Sequence, residues 1–208
     1  MATIDSVERD MVPVSGRRAE DAGDGPGRGT DGAALVIDAS IGRRVVRDRV
    51  RESEKTGLVE ALLARERYGS VLEIGCGTGA LASALDGRFE CYVGMDVDDA
   101  ARARCRTVSG RPMRFRPLVL PFRLPPGEHE LVILSEVLQL LEPGEVHELA
   151  AGVAAHGACR EIVVVGTRDE GAATRDVVLD AFVDALDDGF EHRELAVRRH
   201  YRIDALLR

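Results

Sequence analysis

Several things that would commit a chain to a specialised chemistry are scarce in this one. It has four cysteines, Cys76, Cys91, Cys105 and Cys159, and none stands in a CxxC or CxxH spacing. Zinc and dithiol motifs are thereby excluded, and four thiols are sparse for a disulfide framework at this length; no metal site is expected. No run of about 18 uninterrupted apolar residues exists, and the N-terminal residues lack a basic-then-apolar signal pattern. The expectation is a cytoplasmic protein with no membrane partner. Positive charge is also in deficit: a formal net charge of -8 argues against a surface that wraps nucleic acid by electrostatics.

What is present suffices for an ordinary core. With 208 residues, 45% of them hydrophobic, one domain needs no covalent staples. Residues 1–32 stand apart, since "DAGDGPGRGTDG" (21–32) holds five glycines and a proline and buries too little apolar surface to order itself. It reads as a flexible arm, and residues 33–208 as the domain proper. That domain opens with a helical segment over 41–67, in which Val59, Leu62 and Leu63 form a short apolar face and Gly57 weakens the middle. Its arginines at 43, 44, 47, 49 and 51 are expected on a solvated face, paired with Asp48, Glu52 and Glu54.

A regular alternation follows. Apolar strands are expected at 70–74, 91–95, 113–119, 131–135 and 161–165. The clearest helix spans 144–156, with Val146, Leu149, Ala150, Val153 and Ala154 on one face, and another covers 173–186. Alternation of this kind predicts an α/β fold, a doubly wound and mostly parallel sheet with helices on both faces. The ending "FEHRELAVRRHYRIDALLR" reads as two successive strands, giving seven in all with the last antiparallel.

The first strand runs into "SVLEIGCGTGALASAL" (70–85), where Gly75, Gly77 and Gly79 occupy every second position. Ligands of doubly wound sheets sit at the carboxyl ends of the strands, and glycine permits sharp turns and close approach. Gly75, Gly77 and Ala80 satisfy the dinucleotide pattern G-x-G-x-x-G/A, so NAD(P) stays open. Glu73 tilts the reading, because a carboxylate there repels a pyrophosphate and attracts an ammonium. Asp96, closing the second strand, suits a ribose diol and serves either cofactor.

Taken together, Glu73 to Gly79, Asp96, and the segment from His129 to Leu141 ("HELVILSEVLQLL") resemble the class I S-adenosylmethionine (SAM)-dependent methyltransferases. In that family E/D-x-G-x-G-x-G closes the first strand, an acid closes the second, and a similar segment forms the fourth. "LVILSEVLQLL" and the ending "YRIDALLR" are similar to small NodS-like N-methyltransferases. The resemblance implies a Rossmann-like domain that binds SAM through Glu73, Gly75, Cys76, Gly77, Gly79, Asp96, Val97, Leu118, Val119 and Ser135. It also implies methyl transfer to a nitrogen or oxygen of a small-molecule acceptor, a sugar or natural product. The chain departs from the pattern in three places. Its third strand, "RFRPLVLPFRLP", lacks the usual acid for the adenine amino group; His129-Glu130 replaces Phe-Asp; and "HGACRE" replaces the usual Pro-Gly-Gly turn.

A residue acting on the acceptor must lie at the carboxyl rim. Glu136 ends the fourth strand there and His147 opens the following helix, so these two are the catalytic candidates. His129 is separated from Glu136 by seven residues, about 23 Å of strand, and is placed at the far rim with His156 and His192. His200 and Tyr201 lie near the last connection and can return to the active face, while Thr167 and Arg168 follow the fifth strand and suit an acceptor oxygen or carboxylate. Two alternatives remain. One is an NAD(P)-dependent oxidoreductase, disfavoured by Glu73 and by the lack of a Tyr-x-x-x-Lys pair; the other is a catalytically inactive methyltransferase-like partner subunit.

Overall fold

The computed structural model describes residues 39–97, 113–118, 124–125, 127–168, 173–186 and 189–208, with side chains from Val50 onward apart from 173–176. The expected arm over 1–32 lies outside them, as do the side chains of Arg43, Arg44, Arg47 and Arg49. In chain order the elements are α1 (Ala39–Leu62), β1 (Tyr68–Ile74), α2 (Ala80–Ala84), β2 (Phe89–Asp96), β3 (Met113–Pro117) and β4 (Leu131–Ser135). They continue with α3 (Pro143–Ala154), β5 (Glu161–Thr167), α4 (Ala173–Ala185), β6 (Glu191–Val197) and β7 (Tyr201–Leu207).

The seven strands form one sheet in the order β3-β2-β1-β4-β5-β7-β6. Neighbours from β3 to β5 pair in parallel, and β7 runs antiparallel to both β5 and β6. The chain thus starts in the middle at β1, winds outward through β2 and β3, then returns to lay β4 on the other side of β1. That reversal makes the gap beyond the carboxyl ends of β1 and β4 the crevice where such sheets bind ligands.

Burial follows from the two-residue period of a strand, which sends successive side chains to opposite faces. On one face Leu72, Ile74, Val132, Leu134, Ile162 and Val164 pack under α3 and α4 through Val146, Leu149, Val153, Leu179 and Phe182. On the other, Val71, Leu131, Ile133, Val163 and Val165 meet Val59 of α1, Leu81 and Ala82 of α2 and the capping Leu85. β1, β4 and β5 are therefore apolar on both sides, which is why they read as continuous runs rather than alternating ones.

Element ends differ from the periodicity where side chains compete for backbone groups. The first helix stops at Leu62, five residues short of the expected 67. The amide of Ala64 donates to Glu161 Oε1 at 3.0 Å, that of Arg65 donates to the Tyr68 hydroxyl at 3.1 Å, and the Arg88 guanidinium takes the carbonyl of Glu60. These bonds give the Ala64 and Arg65 amides and the Glu60 carbonyl partners other than those a further helical turn would supply. α3 starts at Pro143 in a reciprocal capping arrangement between Glu142 and Glu145, with proline in the first-turn position it favours. β3 ends at Pro117, and the expected Val119 lies outside the described residues. No described helix is long and apolar enough to cross a membrane.

Candidate active site

The glycine loop is fixed from beneath by the second strand. The amides of Gly75 and Cys76 both donate to the Met95 carbonyl, at 2.7 and 3.0 Å, and the Gly77 amide donates to Asp96 Oδ2 at 2.7 Å. Gly75, Gly77 and Gly79 all have positive φ, at 84°, 49° and 77°. The first two differ in surroundings. A Cβ on Gly75 would fall 2.1 Å from the Ser135 carbonyl oxygen, whereas one on Gly77 meets nothing within 4 Å. Gly75 thus lets β1 and β4 cross closely, and Gly77 presents bare backbone to an open space.

That space is a cavity of about 660 Å³, within the usual range of small-molecule and cofactor sites. The loop supplies its floor through Gly75, Cys76, Gly77 and Thr78, with Glu73 and Ser135 beside it and Lys55, Thr56 and Val59 of α1 opposite. Glu73 is 2% exposed and accepts a hydrogen bond from the Tyr92 hydroxyl. Burial pushes its carboxyl up to about 7, against the Tyr92 hydrogen bond, which favours the ionised form. A carboxylate held this close to neutrality at a cavity wall has a strong incentive to meet a cation.

At the end of β4 stands Glu136, a non-glycine residue with φ of 56°. A side chain in that region costs about 1–2 kcal/mol, and the surroundings enforce it. The Glu136 amide donates to the Val165 carbonyl at 2.8 Å, and its own carbonyl accepts from Gln139 Nε2 at 2.5 Å. The twist aims its carboxylate across the cavity at Lys55, whose Nζ lies 2.8 Å from Glu136 Oε1 and 2.7 Å from Glu52 Oε2. Burial works against the ammonium's charge, but the two carboxylates outweigh it and hold Lys55 above the ordinary lysine range.

Of the residues expected at the site, Glu73, Gly75, Cys76, Gly77, Ser135 and Glu136 line this one cavity. Asp96 and Gly79 shape the loop from behind: Asp96 holds Gly77, and Gly79 caps α2 with its amide on the Cys76 carbonyl at 2.8 Å. Beyond Asp96, Val97 is exposed and Leu118 is buried, and the Leu118 amide donates to the Asp96 carbonyl at 2.8 Å. His147 is not brought to the cavity. It is exposed, and its Nδ1 lies 2.8 Å from the Pro143 carbonyl one helical turn back.

The other histidines are sorted by the sheet. His129 is buried beside Ser70, 2.8 Å from its hydroxyl, and stacks on His156 with ring centroids 5.7 Å apart. Burial, with the neighbouring His156 and Arg116, lowers His129 to about 4, and the stacked pair lies toward the amino end of the sheet. His192 pairs with buried Asp204 at 2.8 Å. The reading of the sequence missed Lys55, Glu52 and Thr56, which reach the cavity from α1. One signal was available: Lys55 is the sole lysine among 28 lysines and arginines. Among the described residues no group of acids, histidines and cysteines is placed to hold a metal ion.

Comparison with known proteins bears on the same residues. Residues 72–158, which hold the glycine loop, Asp96 and Glu136, match the family model described as a methyltransferase domain. That segment of the chain is similar to methyltransferase domains. The chain's fold is shared with solved methyltransferases. A presumed methyltransferase from Pseudomonas syringae superposes with a TM-score of 0.63 at 24% identity, over 76% of this chain and 99% of that one. The N-methyltransferase NodS from Bradyrhizobium japonicum, in a crystal structure, gives 0.58 at 17% identity over 77% and 95%. Magnesium protoporphyrin IX methyltransferase from Synechocystis, solved with SAM, gives 0.55 at 19% identity over 86% of each chain. No curated protein matches the sequence.

Proposed function

We propose that this chain moves the methyl group of SAM to a nitrogen or oxygen of a small-molecule acceptor. The observation that carries the reading is the cavity over the glycine loop, with buried Glu73 at one wall and Asp96 fixing the loop. The residues fit the group. Gly77 leaves open the space that a Cβ would enter, and the loop offers no cluster of cations for a pyrophosphate. Among the described charged residues of the cavity, Glu52, Lys55, Glu73 and Glu136, acids outnumber the cation. Bound SAM supplies an electrophilic methyl on a sulfonium.

This chain's residues then have separate tasks. Glu73 accepts hydrogen bonds from an ammonium and gains the countercharge that burial denies it. Asp96 spends one interaction on the Gly77 amide, and a carboxylate has further lone pairs for a ribose diol. Val97 and Leu118 stand beside Asp96 as the apolar edge for a base. Glu136, at the cavity's edge, accepts a hydrogen bond from the acceptor's N–H or O–H, while Lys55 fixes its direction. Placement of this kind supplies much of the rate of an in-line transfer.

The test is calorimetric titration of the full chain with SAM, S-adenosylhomocysteine and NAD, followed by transfer of tritium from methyl-labelled SAM to a panel of small amines and alcohols. Binding of the first two without NAD, and label in product, is the expected result. Binding without transfer to any acceptor supports the inactive partner subunit, and preference for NAD rejects the reading outright.

A further inference from the structure

A second, smaller cavity of about 200 Å³ opens beside the first and shares Glu52, Lys55 and Glu136 with it. Its remaining walls come from distant parts of the chain: Arg51 of α1, Thr167 and Arg168 after β5, and His200 and Tyr201 at the β6–β7 connection. These walls are tied together. The Arg168 amide donates to the His200 carbonyl at 2.7 Å, and Arg51 Nη2 lies 3.2 Å from His200 Nε2. A guanidinium only donates, so His200 accepts at Nε2 and carries its proton on Nδ1. The contact holds the Arg51 guanidinium at the cavity wall.

The charge balance here is opposite to that of the molecule. Among the described residues the lining holds three cations, Arg51, Lys55 and Arg168, against two carboxylates, Glu52 and Glu136, on a chain whose net charge is -8. Both carboxylates lie within 2.8 Å of Lys55, so the lysine is the cation they screen most. Two guanidiniums also line this small recess, which adjoins the cavity over the glycine loop. A planar guanidinium fork matches the oxygens of a carboxylate or phosphate, and about 200 Å³ suits one such group and little more.

We infer that this recess binds an oxyanion of the methyl acceptor, a carboxylate or a phosphate, through Arg51 and Arg168. The acceptor is therefore a small acid whose nucleophilic nitrogen or oxygen reaches past Glu136 toward the glycine loop. The inference rests on the methyltransferase reading and adds the substrate class to it. Thr167, which pairs with Tyr201 across β5 and β7, adds a hydroxyl at the same rim.

The test separates the two claims. S-adenosylhomocysteine affinity, measured first, judges the methyltransferase reading alone. The loaded full chain is then titrated with benzoate, with inorganic phosphate and with neutral benzamide, and the same titrations are run on Arg51→Gln, Arg168→Gln and the charge-keeping Arg168→Lys. Saturable binding of benzoate or phosphate but not benzamide is expected, weakened at least about tenfold in either Gln variant and partly restored in Arg168→Lys. Homocysteine-cofactor affinity should stay unchanged throughout, which also certifies that the variants fold. Benzoate-only or phosphate-only binding names the oxyanion. Arg193→Gln, on exposed β6, serves as a control and should alter nothing. No saturable binding of either anion to the loaded protein, or binding indifferent to Arg51 and Arg168, overturns the proposal.

Discussion

Glu73 holds two properties in tension. Its carboxyl titrates near 7 in the fold and in the ordinary carboxylate range when unfolded, near 4.3. Between those values the unfolded chain releases a proton that the folded chain keeps, so stability falls as pH rises and levels off above about 7. Replacing Glu73 by Gln keeps an acceptor for Tyr92 and removes the ionisation. Denaturant titrations at pH 5 and pH 8 should therefore show a smaller difference in the variant, by a few kcal/mol at most. Its SAM affinity should fall at least about tenfold, the scale of a lost charged hydrogen bond. An unchanged pH profile would mean that Glu73 is not the group that titrates.

The two loop glycines offer a paired test at the same scale. Gly75→Ala drives a Cβ into the Ser135 carbonyl and should lower stability by several kcal/mol, seen as a large drop in melting temperature. Gly77→Ala meets open space and costs only the backbone term of about 1–2 kcal/mol. Its methyl group nevertheless projects where a ligand lies, so its SAM affinity should fall more than its melting temperature does.

Among the elements, α1 depends on contacts that its own sequence does not advertise. Glu161, 1% exposed, accepts from the Ala64 amide and from the Tyr68 hydroxyl at 2.5 Å. Glu161→Ala leaves both donors without that partner and should cost about 2–4 kcal/mol in chemical denaturation. At the other end of the contact, Lys55 and Glu136 join α1 to the rim of β4. Glu136 is 40% exposed, so solvent screens the pair. A double-mutant cycle over Lys55→Met and Glu136→Gln should return a coupling near 1 kcal/mol rather than the several expected of a dry pair. Strands were the most legible elements, because β1, β4 and β5 need apolar side chains on both faces whatever surrounds them. The end of α1 was the least legible, since Leu63 to Arg67 keep helical composition and are captured by the adjacent Tyr68 and by Glu161 and Arg88 from elsewhere.

For the molecule as a whole, ligand linkage gives the broadest check. If the cavity takes SAM in the folded state only, saturating S-adenosylhomocysteine at a hundred times its dissociation constant adds about 2.7 kcal/mol and raises the melting temperature by several degrees. NAD at equal concentration should leave it unchanged.

The sequence by itself determined the sheet's alternation, the glycine loop with Glu73 before it, and Asp96 after it. Each depends on a local rule: strand period, glycine's access to positive φ, and the short distance between neighbouring strand ends. It also separated His129 from Glu136, because strand rise converts residue number into length. Tertiary structure decided which residues face the loop from across the crevice. Lys55 and Arg51 precede β1, while His200 follows β6, and no period links positions 149 residues apart. The folding of α1 over the strand ends brings them together, and the left-handed turn at Glu136 aims a side chain that spacing alone could place only at a rim. His147 shows the converse. Its position in the chain fits the rim, but a helix sets side-chain direction by its rotation, and that rotation turns His147 to solvent.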